Sequence, residues 1–293
     1  MKIVVGCLAA LFVAWGGIPP AHSTVDKIAI VAAENFYGDV AQQVGGNRVS
    51  VTSILHNPDQ DPHLFETSPS SVRELVAARV VIYNGADYDP WMEKLLEATS
   101  KPGRIAIIVA DLMRKKAGDN PHLWYDPMTM PAVANALANS LSAIDPAHAD
   151  DYATRAKTFI ASLRPLNNKI AGIRTMYNGQ PVTATEPVFG YMAAALHLTM
   201  LNQRFQLAIM NNTEPSARDI AAFEEDIEKR KVRVLFFNKQ TSDTLVRYLI
   251  DLAHASKIPV VGVTETCPAG KSYQDWMLDE LDQTENALAG PAS

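Results

Sequence analysis

Apolar runs of strand length recur along the chain, with longer amphipathic stretches between them. The first four are KIAIVAAE (27–34), RVSVTSIL (48–55), ARVVIYNG (78–85) and RIAIIVA (104–110). The next four are PVTATE (181–186), RFQLAIM (204–210), VRVLFFNK (232–239) and IPVVGVTE (258–265). Several are apolar almost throughout, as strands are when helices cover both faces of a sheet. The intervening stretches have helical periodicity and start signals. Ser68 or Ser70 is placed to cap SPSSVRELVAA, and EPSARDIAAFEEDIEKRK has the same character. Strand and helix alternating eight times predicts α/β units with parallel pairing.

The fourth and fifth runs are separated differently. From about Met130 to Ile173 the pattern is helical only, with a break at Asp145-Pro146. Beyond the break, Tyr152, Ala156, Phe159, Ile160, Leu163 and Leu166 recur at three- and four-residue steps. Pro165 is placed to kink this helix or end it. The pattern predicts two similar lobes, each a mainly parallel sheet flanked by helices, at 24–145 and 175–293, joined by a helix over 146–174. No short repeat and no low-complexity linker interrupts them.

The N-terminus has another character. In MKIVVGCLAALFVAWGGIPPAHS, Lys2 precedes an apolar run that ends near Gly16, and small residues follow a Pro pair. That order predicts a cleavable secretory signal over 1–23. The run is shorter than the roughly 20 apolar residues of a membrane-spanning helix. Cys7 lies inside the apolar run, too early to be a lipid-modified cysteine. Removal of the signal leaves Cys267 alone, so the mature chain forms no internal disulfide. A 47% hydrophobic, 20% charged composition is that of a globular protein, and a net charge of −6 with scattered Lys and Arg gives no nucleic-acid groove. Export without an anchor fits a periplasm.

In open α/β sheets, ligands bind beyond the carboxyl ends of the strands. The second run leads into HNPDQDPHLFETSP and the fourth into KKAGDNPHLWYDP, so the first lobe offers His63 and His122 in near-matching Pro-His-Leu settings. The fifth and eighth runs end on Glu186 and Glu265. Two neutral imidazoles and two carboxylates form a first shell suited to a divalent transition metal. A histidine in a loop is ordinarily a surface residue, and His56, His148, His197 and His254 lack the repeated setting. Asp61, Glu66 and Asp126 flank the candidate histidines as partners that could orient the rings.

These segments resemble those of the metal-binding solute receptors of bacterial ABC importers, the zinc/manganese group called cluster A-I. DPHLFETSPSSVREL, YNGADYDPWMEKLL, NPHLWYDP and TEPSARDIAAF follow in that family's order, and the likeness covers nearly the whole mature chain. It implies two α/β lobes joined by one long backbone helix, with one metal ion between them. It further implies His63 and His122 as ligands, with Glu186 third and Glu265 fourth. In the family the third position is usually His in zinc-type members and Glu in manganese- and iron-type ones. The fourth is commonly Asp, so Glu265 departs from the pattern by a methylene.

The resemblance implies a monomeric receptor that hands its ion to a membrane permease and catalyses nothing. Carboxylates able to bind through both oxygens raise the coordination number, and no His-rich insertion precedes NPHLWY. Both points lean toward Mn²⁺ over Zn²⁺, with Fe²⁺ also compatible. Cys267, two residues after Glu265, would favour zinc or copper if it were a ligand, but is read as a buried thiol. A metal-dependent hydrolase is the competing class. Four protein ligands would leave a tetrahedral ion no open position for water, and the chain has no HExxH or G-x-S-x-G. A receptor for a metal chelate such as a siderophore would need a broad aromatic cleft, for which Trp91, Trp124 and Tyr125 are the candidates.

Overall fold

The computed structural model describes residues 27–57, 65, 68–241 and 243–290. The predicted signal over 1–23 and the candidates Asp61, His63 and Glu66 lie outside the described residues. The first lobe runs β1 (Ile28–Glu34), α1 (Asn35–Gly45), β2 (Val49–Leu55), α2 (Pro69–Ala77), β3 (Val80–Tyr83), α3 (Pro90–Ala98), β4 (Ile105–Ile108), then the short α4 (Val109–Leu112). A helical layer follows: α5 (Thr129–Ile144), α6 (Ala149–Ser162) and α7 (Arg164–Tyr177). The second lobe runs β5 (Pro181–Ala184), α8 (Gly190–Ala195), β6 (Thr199–Met200), α9 (Gln203–Met210), α10 (Ala217–Glu228), β7 (Leu235–Asn238), α11 (Thr244–Ala255), β8 (Val260–Val263) and α12 (Tyr273–Ala289).

Every strand pairing among the described residues is parallel. The sheet orders are β2-β1-β3-β4 and β6-β5-β7-β8, so each strand of the first lobe has a counterpart four strands later. The expected α/β architecture of two parallel sheets flanked by helices is what the chain adopts. Of the two expected caps of α2, Ser68 is the one that serves, and three helices of the second lobe are capped by side chains as well. Ser68 accepts from the Ser71 N–H, and Ser216, Asp243 and Ser272 serve α10, α11 and α12 in the same way.

Two expectations change. RFQLAIM is a helix, α9, rather than a strand, and the sixth strand is the two-residue β6 just before it. Phe205, Leu207 and Ile209 alternate like a strand, but Phe205 and Ile209 are also one helical turn apart. Both pack into the cluster around Phe223 and Leu249, while Leu207 stays exposed. The connecting span is helical in two segments, α6 and α7, which meet at Leu163. Pro165 has no N–H to offer the carbonyl one turn earlier, which accounts for the break.

One hydrophobic core runs through both lobes. It joins Phe36, Trp124 and Tyr152 on the first side to Phe189, Phe236 and Trp276 on the second. Polar contacts lock the same seam. Asn35, opening α1, donates to the Cys267 carbonyl and accepts from the Cys267 N–H, at 2.7 and 2.9 Å. Asp39 accepts from the Tyr273 N–H, and the Tyr273 hydroxyl donates to the Trp124 carbonyl. Helix α12 therefore belongs to the second lobe by sequence but braces the first.

Candidate metal centre

Strands β5, β7 and β8 end side by side, and their parallel register brings Glu186, Asn238 and Glu265 to one rim. Glu186 lies two residues beyond β5, Asn238 closes β7, and Glu265 lies two residues beyond β8. The two carboxylates are nearly out of solvent, Glu186 at 6% exposure and Glu265 at 0%. Between them the Asn238 amide donates to Glu186 Oε2 at 2.9 Å and to Glu265 Oε1 at 2.5 Å. The Thr241 hydroxyl donates to Glu186 Oε1 at 2.8 Å. Gln240 accepts from the Glu265 backbone N–H at 2.5 Å. Burial, then the charge of Glu265, raises the Glu186 pKa, and the bonds from Asn238 and Thr241 oppose the rise.

The first lobe brings His122 to the same place. The buried ring packs edge-on to Trp124 at 5.3 Å between centroids. Its Nδ1 lies 2.7 Å from Asn120 Oδ1. The Asn120 amide orientation is fixed twice over. Its oxygen also accepts the His122 N–H, and its nitrogen donates to the Pro187 carbonyl. His122 therefore carries a proton on Nδ1, which turns Nε2 toward the second lobe. Nε2 has no hydrogen-bond partner among the described residues and lies 3.5 Å from Glu265 Oε2. An imidazole nitrogen and a carboxylate oxygen thus face one another across the lobe boundary.

Asn120 was not legible as a site residue, although its place before Pro-His in DNPHLW mirrors Asp61 in the first segment. It ties the His122 ring to the residue after Glu186, so one side chain sets both lobes' candidates. Asp126 does something else. It accepts the Met128 N–H at 2.9 Å and does not orient the His122 ring, because the chain turns away after the Leu123–Tyr125 turn.

Cys267 faces away from the rim. Its Sγ is 3.4 Å from the Lys271 carbonyl, and burial pushes the thiol up to about 12, so it stays protonated. Two of the three aromatic candidates for an organic ligand are turned inward. Trp124 and Tyr125 are fully buried, and the half-buried Trp91 lies tilted against Phe65 at 4.5 Å between centroids. A solvent-open cavity of about 690 Å³ reaches Glu186 and Thr241 past Thr213, Glu214, Asp243 and Tyr248, the last its single aromatic lining residue among the described residues. His122, Glu186 and Glu265 do not themselves close to metal–ligand distances. Among the described residues no three His, Cys, Asp or Glu do.

Beneath the site lie two more buried acids. Glu280 of α12 accepts from the Tyr125 hydroxyl, the Trp276 indole and the Thr264 N–H, at 2.7, 2.8 and 3.3 Å. Burial still raises it to about 7. Glu34, at the end of β1, is completely buried, and neither carboxyl oxygen has a hydrogen-bond partner in good geometry among the described residues. Burial and then the charge of Asp89 push its pKa well up. Asp89 is the charged member of that pair, since its oxygens accept the Asn84 and Gly85 N–H groups at 2.6 and 2.7 Å.

Residues 30–287 match the model of the family described as ZnuA, zinc-uptake complex component A, periplasmic. A protein of Treponema pallidum called a putative metal-binding protein is 24% identical over 92% of this chain and 90% of its own length. The manganese ABC transporter substrate-binding lipoprotein PsaA of Streptococcus mitis is 23% identical over 90% of each chain. Among solved structures, the periplasmic zinc-binding protein TroA of Treponema pallidum superposes with a TM-score of 0.76 at 19% identity. It covers 89% of this chain and 99% of TroA. A manganese-bound periplasmic metal-binding protein of Candidatus Liberibacter asiaticus gives 0.72 at 17% identity, over 88% and 98%.

Proposed function

The chain belongs to the family of periplasmic zinc-uptake component A proteins, and on that premise we propose that it captures one divalent transition metal ion outside the cytoplasm and delivers it to an ABC permease. The observation that carries this is the meeting of His122 Nε2 with the buried carboxylates of Glu265 and Glu186. Buried like charges repel and an imidazole lone pair needs a Lewis acid or a proton. A divalent cation answers both demands at once. His122, Glu186 and Glu265 are the proposed ligands, with His63 the fourth. The ion is Mn²⁺ or Zn²⁺, the metals named for the relatives PsaA and TroA.

Capture needs no chemistry beyond this. The ligands come from both lobes, so an ion joins them, and the Asn120–Pro187, Tyr125–Thr264 and Asn35–Cys267 contacts limit how far the lobes part. Release then requires distortion of the rim by the permease. Catalysis is disfavoured because four protein ligands leave a tetrahedral ion no position for a reacting water. A chelate receptor is disfavoured because Trp124 and Tyr125 belong to the core. Lobe limits at 24–145 and 175–293, a cleavable signal at 1–23, a periplasmic location and a monomeric state complete the proposal.

The test is thermal unfolding of chelator-stripped protein with Mn²⁺, Zn²⁺, Fe²⁺ and Cu²⁺ in turn, for wild type and Glu186→His. A ligand of the folded state alone stabilises it by about 4 kcal/mol at a thousandfold excess over Kd. A large shift with Mn²⁺ or Zn²⁺, moved toward Zn²⁺ in the variant, is expected. No shift with any metal would remove the metal-receptor reading.

A further inference from the structure

Asn238 has a role that neither the metal-ligand set nor the fold requires. It ends β7, the strand between those that deliver Glu186 and Glu265, and its Nδ2 spends both hydrogens on the two carboxylates. The amide cannot flip. Its Oδ1 accepts the Gln240 N–H at 3.0 Å, which leaves the NH₂ facing the acids. The rest of the segment 238–241 continues the pattern. Thr241 holds the other Glu186 oxygen, and Gln240 fixes the Glu265 backbone while donating to Thr266 Oγ1 at 3.1 Å.

The internal repeat of the fold sharpens the case. Asn84 directly follows β3, at the place topologically equivalent to Asn238 at the end of β7. Its Nδ2 donates to the Pro121 carbonyl at 2.8 Å and its Oδ1 accepts from Tyr37. Pro121 immediately precedes His122. One asparagine therefore positions the backbone that carries the histidine, and its counterpart positions the two carboxylates.

An oxygen held by a hydrogen bond is a poorer partner for bidentate coordination, because the carboxylate cannot rotate to present both oxygens without breaking that bond. Glu265 has Oε1 on Asn238 and Oε2 toward His122. Glu186 has Oε1 on Thr241 and Oε2 on Asn238. We propose that Asn238 is a positioning residue that leaves Glu265 to bind through Oε2 and, together with Thr241, keeps Glu186 from turning to present both oxygens to one ion, and so biases the site toward a four-coordinate ion of the Zn²⁺ type and against Mn²⁺, which takes more oxygen ligands. The inference rests on the metal-capture reading. It reverses the lean toward Mn²⁺ that a glutamate at position 186 suggests in sequence alone, because that lean assumes carboxylates free to bind through both oxygens.

The experiment compares wild type, Asn238→Ala and Asn238→Ser. Zn²⁺ affinity is read by competition with a chromophoric chelator, Mn²⁺ affinity by electron paramagnetic resonance of the free ion, and coordination number by the visible absorption of the Co²⁺ form. Thermal unfolding of each metal-free variant checks that it folds. Asn238→Ala is expected to lower the Zn²⁺-to-Mn²⁺ affinity ratio at least tenfold and to replace intense four-coordinate Co²⁺ bands with weak ones. Asn238→Ser, whose hydroxyl can tie one carboxylate, falls between, and carries the test if the alanine variant does not fold. Equal losses for both metals with an unchanged Co²⁺ spectrum would overturn the proposal and leave Asn238 a structural residue. Absence of metal binding by wild type would instead count against the receptor reading itself.

Discussion

Glu280 offers a stability test that needs no metal. It sits on α12 beneath the rim, 4% exposed, and burial raises its pKa from the ordinary 4.5 to about 7 against the pull of three hydrogen bonds. Below pH 4.5 the group is protonated in folded and unfolded chains alike and costs nothing. Between pH 4.5 and 7 the unfolded chain releases the proton while the folded one keeps it, so stability falls as pH rises. Above about pH 7 the loss is complete. At about 1.4 kcal/mol per tenfold change in proton affinity, it amounts to about 3 kcal/mol.

Glu280→Gln keeps the neutral shape and removes the titration. Its amide oxygen can accept from Trp276 and Thr264. Its NH₂ can donate to the Tyr125 oxygen, whose own hydrogen already has a second acceptor in the Thr264 carbonyl at 2.8 Å. No buried group is left unpaired, so the variant folds. Urea unfolding of metal-free protein at pH 4.5, 6 and 8 gives the comparison. The stability of the variant relative to wild type is expected to rise by about 3 kcal/mol from pH 4.5 to 8. A difference that stays constant across that range would refute the claim that Glu280 is held neutral by burial.

Two further outcomes follow from the first lobe. Glu34→Gln should make the protein more stable at pH 8. The gain should shrink toward pH 4.5, because a raised folded-state pKa withdraws stability only as pH rises above the unfolded value; urea midpoints that do not differ at pH 8 would contradict this. Gly85→Ala should destabilise by about 2 kcal/mol or more, since Gly85 has φ of +72° and an added Cβ would meet Ile108 Cγ2 at 2.9 Å. An unchanged urea midpoint would show that the β3–α3 turn relaxes freely.

The sequence pattern exposes most of the strands because parallel strands covered on both faces are apolar throughout, as VVIY and VVGV are. It fails at RFQLAIM, where seven residues are too few to separate a period of two from a period of 3.6, and the neighbours that decide, Phe223 and Leu249, are distant in sequence. Histidines and carboxylates at strand ends are legible because their chemistry is distinctive. Asn120, Asn238 and Thr241 are not. An amide in a loop has no signature until the fold shows what it faces, and Asn238 acquires its meaning only when β7 is placed between β5 and β8. Cys267 shows the converse. Its spacing from Glu265 would put both side chains on one face of an extended strand, but the chain leaves β8 at Val263 and the thiol turns toward Lys271.

In the proposed receptor, one ion is held between the lobes by His122 and the two glutamates. Native mass spectrometry after dialysis against Zn²⁺ or Mn²⁺ tests it most directly, for wild type, His122→Ala and Glu186→Gln. One ion per wild-type chain is expected, with loss of that ion in both variants while the metal-free masses and charge states stay those of a folded protein. Wild type without bound metal, or variants that keep the ion as tightly as wild type, would contradict it.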